Sequence, residues 1–205
     1  MKKRSKLPHM DTLPRRPKQY SAKVFRSDGE PTGELLYADG LKSRQETRLP
    51  DGSTILISRL DKGVIWTLRP ETKTYSQVKF TKDMAKRAAR FVDSIYDWRA
   101  DGTEVIDRRR CLRFLGKHRE GPSGAAHEFR YFDLKTHMPR RFVTFDMKGK
   151  KALIVDFLDV VLGPQPRNLF EIPVGYIPQE DTMRPLNTLP QVTSGKQRCS
   201  SLLLQ

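Results

Sequence analysis

The stretch from Arg59 to Tyr75, RLDKGVIWTLRPETKTY, constrains the fold more than any other part of this chain. Residues 64–68 are β-branched and aromatic with few helix formers, which predicts a strand. The Asp-Lys-Gly sequence at 61–63 predicts the turn before that strand, because glycine supplies the positive φ that such turns often need. Pro70 bars a continued central strand, and a second strand restarts at Thr74. The stretch therefore predicts an antiparallel meander.

The same alternation of short strands and turns continues through most of the chain. Turn signals rich in Gly, Pro, Asp and Ser recur about every ten residues, which is typical of a continuous antiparallel sheet. The sheet is predicted to hold nine to eleven strands, which include residues 20–25, 34–37, 41–48, 54–59, 64–68, 74–78, 103–106, 111–115, 127–132, 140–147 and 152–162.

One segment has the spacing of a helix. Its apolar residues recur at intervals of four, three, four and three, which places Met84, Ala88, Phe91, Ile95 and Trp98 on one helical face. Thr81 suits the start of this helix, and Asp101-Gly102 suits its end. A sheet this wide curls, and the apolar stripe of the helix needs a surface to cover it. The predicted fold is therefore mainly β (α+β), a large curved antiparallel sheet forming an incomplete β-barrel, with the amphipathic helix over its concave face.

A chain of 205 residues is most simply one domain with tails. We predict a disordered basic N-terminal arm over 1–19, a folded domain over 20–177 and a disordered C-terminal tail over 178–205. Cys111 falls in a predicted strand and Cys199 in the tail. A buried free thiol at Cys111 is favoured over a disulfide between the two, although the sequence leaves the pairing open.

The formal charge of +15 favours anionic partners. It suits a solvated surface that attracts an anionic membrane or an acidic protein. It also suits nucleic acid, but that class is disfavoured because the aromatic residues belong to alternating apolar strand faces. The chain has no apolar run long enough to span a bilayer. The basic start MKKRSK is not followed by an apolar segment, so no export signal is predicted in this chain.

No pattern in the sequence indicates catalysis. The four histidines have no metal-ligand spacing, and neither a phosphate loop nor a dinucleotide fingerprint occurs. Asp93, Asp97 and Asp101 share a helical spacing, which we interpret as a solvated face rather than a metal or catalytic site. We expect neither an enzyme nor a cofactor nor a metal.

The apolar residues of the predicted inner surface have two interpretations. They fill a core, or they line a cavity that a half-open barrel is too wide to fill. As ligand-binding residues of such a cavity and its helical lid, the candidates are Trp66, Leu68, Tyr75, Met84, Phe91, Ile95, Trp98, Phe129, Tyr131, Phe142 and Phe157.

The pattern R-x-D-K-G-V-x-W-x-L-x-P-x-x-K-x-Y at 59–75 resembles the central signature of the LolA-like superfamily, in its subgroup of outer-membrane lipoprotein-sorting proteins. The opening residues 20–22 and 33–37, the cysteine at 111, and the closing residues 163–166 and 169–176 are similar to the same subgroup, so the resemblance covers about residues 20–177.

The resemblance implies an incomplete barrel with a helical lid, a periplasmic location in a Gram-negative bacterium, and non-enzymatic binding of lipoprotein acyl chains or other lipid by a carrier or sensor. The residue patterns also allow two other functions: a protein-interaction module with a filled core, or a basic nucleic-acid-binding protein.

Overall fold

The computed structural model describes residues 12–27, 32–49, 52–81, 83–84, 96–118, 127–146 and 148–179. They form twelve strands and one short 3₁₀ turn at Arg167–Phe170. The strands are β1 (Gln19–Arg26), β2 (Thr32–Asp39), β3 (Lys42–Leu49), β4 (Gly52–Arg59), β5 (Val64–Arg69), β6 (Thr74–Lys79), β7 (Tyr96–Ile106), β8 (Arg109–His118), β9 (His127–Asp133), β10 (Pro139–Phe145), β11 (Lys151–Leu162) and β12 (Ile177–Pro178).

All twelve strands belong to one sheet, in the order β12-β6-β5-β4-β3-β2-β1-β11-β10-β9-β8-β7. The chain builds one half as a meander from β1 to β6 and the other half as a meander from β7 to β11. The two halves join where β11 pairs antiparallel with β1. β12 pairs in parallel with β6. No pairing joins the edge strands β7 and β12 in the described ranges, so the sheet is open there. The prediction of a mainly β fold with a large antiparallel sheet is confirmed.

The predicted helix is wrong at its C-terminal end. Trp98 lies in β7 and not on a helical face, because Tyr96, Trp98 and Ala100 alternate along a strand that pairs with β8. Gly102, predicted to end the helix, has a φ of 113° and lies in an irregularity of that pairing between Ala100 and Thr103. A bulge of this kind needs a residue that tolerates positive φ.

The predicted start of the helix is present. The Thr81 hydroxyl accepts a hydrogen bond from the main-chain N–H of Met84 at 3.2 Å, and Asp83 and Met84 are helical. Phe91 and Ile95 lie outside the described residues, so the predicted helix over the concave face is not shown. The ranges 1–11 and 180–205, with Cys199, also lie outside them.

The central strands bury a large apolar cluster on one face of the sheet. Its members include Val24, Leu36, Phe114, Phe132 and Phe157. A sheet of this width curls rather than staying flat, and we call the face that holds this cluster the inner face. Leu13, which precedes β1, packs against the same cluster, so the described part of the N-terminal region contacts the folded domain.

The opposite, outer face of β3 to β6 is covered by the C-terminal segment, residues 163–178. Phe170 in its 3₁₀ turn has no exposed surface and packs with Ile57, Trp66 and Leu68. The segment ends in β12, which adds to the sheet beside β6. It therefore fills the space over this half of the outer face with its own side chains.

Arg59 fixes the C-terminal segment to the sheet. Its guanidinium donates to the carbonyl oxygen of Phe170 at 3.1 Å, to the carboxylate of Glu171, and to both carboxylate oxygens of Asp61 at 2.8 and 2.7 Å. Arg44 donates to the carbonyl oxygen of Leu169 at 3.0 Å. These bonds satisfy buried carbonyl groups of a segment that lacks its own regular ladder over most of its length.

The Arg59 contacts shift two acid groups in the same direction. Hydrogen bonds from Arg59 hold the pKa of Asp61 below its ordinary value. Burial opposes ionisation of Glu171, but hydrogen bonds from Arg59 and Lys62 outweigh it and hold its pKa below the ordinary value as well. Both carboxylates therefore stabilise the fold only while they are ionised.

We predict that the free energy of unfolding is level above about pH 5 and falls as the pH drops through about 4, where the unfolded carboxylates take up protons first. In the double variant Asp61→Asn, Glu171→Gln we expect a lower free energy of unfolding above about pH 5 and a smaller decrease below it. Urea denaturation across a pH series measures it. Arg59→Lys is the companion variant, because an ammonium group cannot serve two carboxylates and a carbonyl in the same geometry. The prediction is contradicted if the free energy of unfolding of the double variant decreases below about pH 5 as steeply as that of the unchanged protein.

Candidate functional site

The structure divides the predicted site residues among three apolar clusters. Trp98, Phe142 and Phe157 belong to the inner-face cluster. Trp66, Leu68 and Tyr75 lie on the outer face under the C-terminal segment, and Phe129 and Tyr131 lie on the outer face of β9. Met84 is half-exposed. The inner-face group has a buried ion pair, Arg130 with Glu128, directly among its aromatic rings.

A buried arginine lies between two aromatic rings on the inner face. The guanidinium carbon of Arg130 is 4.4 Å from the centroid of the Trp98 ring and 4.9 Å from that of Phe142. Its Nε atom donates to the Glu128 carboxylate at 2.6 Å, and both side chains are more than nine-tenths buried. Cation–π contacts of this kind strengthen when the cation is desolvated.

The strand register places these groups together. Trp98 lies opposite Gly116, Gly116 opposite Glu128, and Phe142 opposite Arg130. Side chains of directly opposed residues share one face of an antiparallel sheet. Strands β7, β8 and β10 therefore supply one of these residues each, and β9 supplies two, Glu128 and Arg130, so that the group occupies two adjacent rows of the sheet.

Gly116 leaves the space in which the Trp98 indole lies. A Cβ atom at this position would be 2.5 Å from Cζ3 and 2.6 Å from Cη2 of that ring. Distances this short are not sustained between carbon atoms, so the absence of a side chain at 116 lets the indole lie flat over β8. Glycine is otherwise unfavourable inside a strand.

The inner-face site holds two guanidinium groups and has an unused donor. The guanidinium carbon of Arg16, which precedes β1, is 5.8 Å from the centroid of the Phe142 ring. The Trp98 indole N–H is buried and has no hydrogen-bond partner among the described residues. A buried donor without a partner is costly unless a ligand or water satisfies it. The arrangement suits an anionic group beside an apolar chain.

The deep part of the same cluster is already filled. Val24, Phe114 and Phe157 have no exposed surface, so their neighbours are protein atoms. A ligand of this face would contact its margin, where Trp98, Phe142 and the half-buried Tyr96 lie.

A second aromatic group lies on the outer face of β9 and β10. The rings of His127 and Phe145 stack with centroids 4.5 Å apart, and Phe129 contacts both edge-on. Phe129 and Phe145 remain partly exposed, while burial raises the pKa of the neighbouring Tyr131 hydroxyl. Arg113 packs over Phe129 at 5.2 Å. We call His127, Phe129 and Phe145 the outer aromatic patch.

Other chemistry has little support in the described residues. They contain no group of three or more His, Cys, Asp or Glu that could hold a metal ion. Within the same ranges, no helix is long and apolar enough to cross a membrane. Cys111 is a buried free cysteine, and burial raises the pKa of its thiol, which makes it a poor nucleophile.

Sequence reasoning missed Gly116, Glu128 and Arg130. The alternation His-Glu-Phe-Arg-Tyr-Phe of β9 does place Glu128, Arg130 and Phe132 on one face. In such a pattern, Glu128 and Arg130 are expected to face solvent. Its register beside Trp98 becomes visible only when β7 is known to be a strand.

No known family model matches the sequence, and neither does any curated protein sequence. Solved structures do match. An uncharacterized conserved protein from Thermus thermophilus has 16% identity and a TM-score of 0.61, over 79% of this chain and 90% of that chain. MucB in the Pseudomonas aeruginosa MucA/MucB complex has 12% identity and a TM-score of 0.52, over 75% of this chain and 55% of that chain. The match thus spans about half of MucB.

The LolA superfamily protein NE2245 from Nitrosomonas europaea also matches, at 9% identity and a TM-score of 0.34, over 78% of this chain and 92% of that chain. All of these similarities concern the fold alone.

We predict that Gly116→Ala destabilises the protein by about 1–3 kcal/mol, because the new methyl group collides with the Trp98 indole. Urea denaturation measures the loss. Trp98→Leu in the same chain removes the collision. We therefore expect the double variant to lose less free energy of unfolding than the sum of the losses in the two single variants. Gly33→Ala in β2 is the matched control, since a Cβ there meets nothing within 4 Å. It should be neutral or stabilising. A stabilising Gly116→Ala contradicts this packing.

Proposed function

We propose that this protein is a non-enzymatic binding protein of the bacterial periplasm that holds an acyl chain of a lipoprotein or another lipid at the inner face. The proposal rests on the position of Arg130, whose nearly buried guanidinium lies between the rings of Trp98 and Phe142 at the margin of a large apolar cluster.

The chemistry of this margin suits an amphipathic anion. The acyl chain would lie against Trp98, Phe142 and Tyr96, where apolar burial stabilises binding by roughly 25 cal/mol per Å². The carboxylate or phosphate at its end would accept hydrogen bonds from Arg130 and the Trp98 indole. A charge-assisted bond to a desolvated guanidinium is stronger than one between neutral groups.

The fold supports a binding role. MucB, which is similar to this chain over about half of its own length, is seen in a complex with MucA, and we take this as support for a binding role. The periplasmic location, and the role as carrier or sensor, belong to the proposal and follow from the resemblance to lipoprotein-sorting proteins.

The second candidate is a protein-interaction module whose clusters are filled cores. The outer aromatic patch favours it, because no described segment lies over this part of the outer face in the way that the C-terminal segment covers Trp66. Aromatic side chains that remain partly exposed beside an arginine are common anchors of protein interfaces.

We predict that dibromostearate quenches the fluorescence of Trp98 and not that of Trp66. The chain has two tryptophans, so Trp66→Phe and Trp98→Phe each leave one reporter. Bromine quenches an indole only at close contact, and the two rings lie on opposite faces of the sheet. Stearate without bromine is the control for indirect effects, and mass spectrometry of organic extracts from periplasmic protein should find a stoichiometric acyl species.

The anchoring role of Arg130 is tested in the same titration. Glu128→Gln with Arg130→Met removes the charge without leaving its partner buried and ionised, and should weaken stearate binding roughly tenfold. If neither tryptophan is quenched and the extracts contain no lipid, the inner face is a filled core and the protein-interaction candidate replaces this proposal. Quenching of Trp66 alone would show that the ligand binds at the outer face, which contradicts the proposal.

A further inference from the structure

We propose that the β7–β8 and β9–β10 turns form a docking surface for an anionic phospholipid bilayer. We call this surface the arginine edge; it comprises Val105, Arg108, Arg109, Arg110, Leu134 and Lys135. It lies at the ends of its strands, apart from the row of Trp98 and Arg130. The proposal does not depend on what the inner face binds.

The β7–β8 turn keeps an arginine where the backbone favours glycine. Ile106 pairs with Arg109, so Asp107 and Arg108 form a two-residue hairpin turn, with φ values of 47° and 62°. Turns with two positive φ values favour Asn and Gly, because a Cβ atom is crowded there. Arg108 is thus poorly suited to its conformation. A non-glycine residue held in such a conformation points to a role for its side chain.

The β9–β10 turn presents an apolar side chain beside these arginines. The main-chain N–H of Leu134 donates to the carbonyl oxygen of Arg110 at 3.1 Å, which ties the two turns together. The Asp133 carboxylate accepts hydrogen bonds from the main-chain N–H groups of Lys135 and Thr136, both at 2.9 Å. Leu134 is therefore held in one place, although 42% of its surface is exposed.

A second exposed apolar side chain lies next in the row. Val105 is opposite Arg110 in the strand register, and 66% of its surface is exposed. Val105, Arg110 and Leu134 thus follow one another across three strands, β7, β8 and the end of β9. The two exposed apolar side chains thus flank a cation, and an interfacial membrane contact requires such apolar groups beside positive charge.

The acidic groups nearby do not cancel the charge of the edge. Asp133 is buried and is used by the turn and by Arg109, at 3.4 Å. Asp107 faces Arg140 at 3.8 Å. Arg108, Arg110 and Lys135 remain exposed on the same edge.

A bilayer fits this edge better than nucleic acid does. Single-stranded nucleic acid is held by aromatic stacking as well as by cations. Residues 105–110 and 133–138 contain no Phe, Tyr or Trp. Leu134 and Val105 gain nothing from phosphate contacts, but they leave water when inserted among lipid headgroups.

The test uses the full chain and sedimentation with vesicles of equimolar phosphatidylglycerol and phosphatidylcholine, against vesicles of phosphatidylcholine alone. We expect binding to the anionic vesicles that weakens with salt. Arg108→Gly should lower the partition coefficient about fivefold, the effect of one cation near such a surface. It should leave the unfolding free energy unchanged or raise it, because the turn conformation suits glycine. Leu134→Ser should also weaken binding about fivefold.

The matched control lies at the other end of the neighbouring strand. Lys148, in the turn between β10 and β11, is also exposed and basic, and none of the large exposed apolar side chains of the described ranges lies in that turn. Lys148→Ser removes the same charge from the chain and should change binding less than twofold.

The outcomes separate the explanations. Equal losses for Lys148→Ser and Arg108→Gly would mean diffuse attraction to a basic protein and overturn the proposal. So would unchanged binding by Leu134→Ser, or a labelled oligonucleotide that binds with the same dependence on Arg108. The Glu128→Gln, Arg130→Met variant should bind vesicles normally, so a failed inner-face ligand is distinguished from a failed arginine edge.

Discussion

The guanidinium of Arg59 holds together two parts of the molecule that are 111 residues apart in sequence. It is buried, and it satisfies Asp61, Glu171 and the carbonyl oxygen of Phe170 at once. No other side chain type offers five donors in a fixed plane for such a set. Because it is fixed, Phe170 reaches the outer cluster and β12 reaches β6. Without it, the buried carbonyl oxygen of Phe170 would lose its donor, and detachment of the C-terminal segment would uncover an apolar face; each is costly.

This arrangement explains what the signature residues of the sequence do. Asp61, Trp66 and the Phe170-Glu171 pair belong to two stretches that are about 95 residues apart, and they meet in one outer-face cluster. They build the sheet and its cover, and none of them faces the inner-face margin around Arg130. A resemblance carried by such residues therefore speaks for the fold. The ligand has to be argued from side chains that the signature does not contain.

Most of the sheet could be predicted from the sequence, because Gly, Pro and Asp mark its turns and β-branched residues fill the strands between them. The stretch around Trp98 could not. There the spacing from Met84 to Trp98 fits a helix, while Tyr96, Trp98 and Ala100 also fit a strand, and only the pairing with β8 decides between the two. The candidate site depended on that choice. Once Trp98 is on β7, its neighbours across the strands are Gly116 and Glu128, and the predicted single cavity becomes three clusters on two faces.

Two arginines occupy positions that stability alone would assign to other residues. Arg130 and Glu128 lie among aromatic rings, where apolar side chains of similar size are often as stable or more so. Arg108 lies in a turn where glycine fits the backbone better. Sites at which local preference and observed residue disagree are the places where function is expected to act on the sequence. Both disagreements place a guanidinium beside exposed or marginal apolar surface. An amphipathic anion, either as a single molecule at the inner face or as a bilayer at the arginine edge, is the chemistry that both positions share.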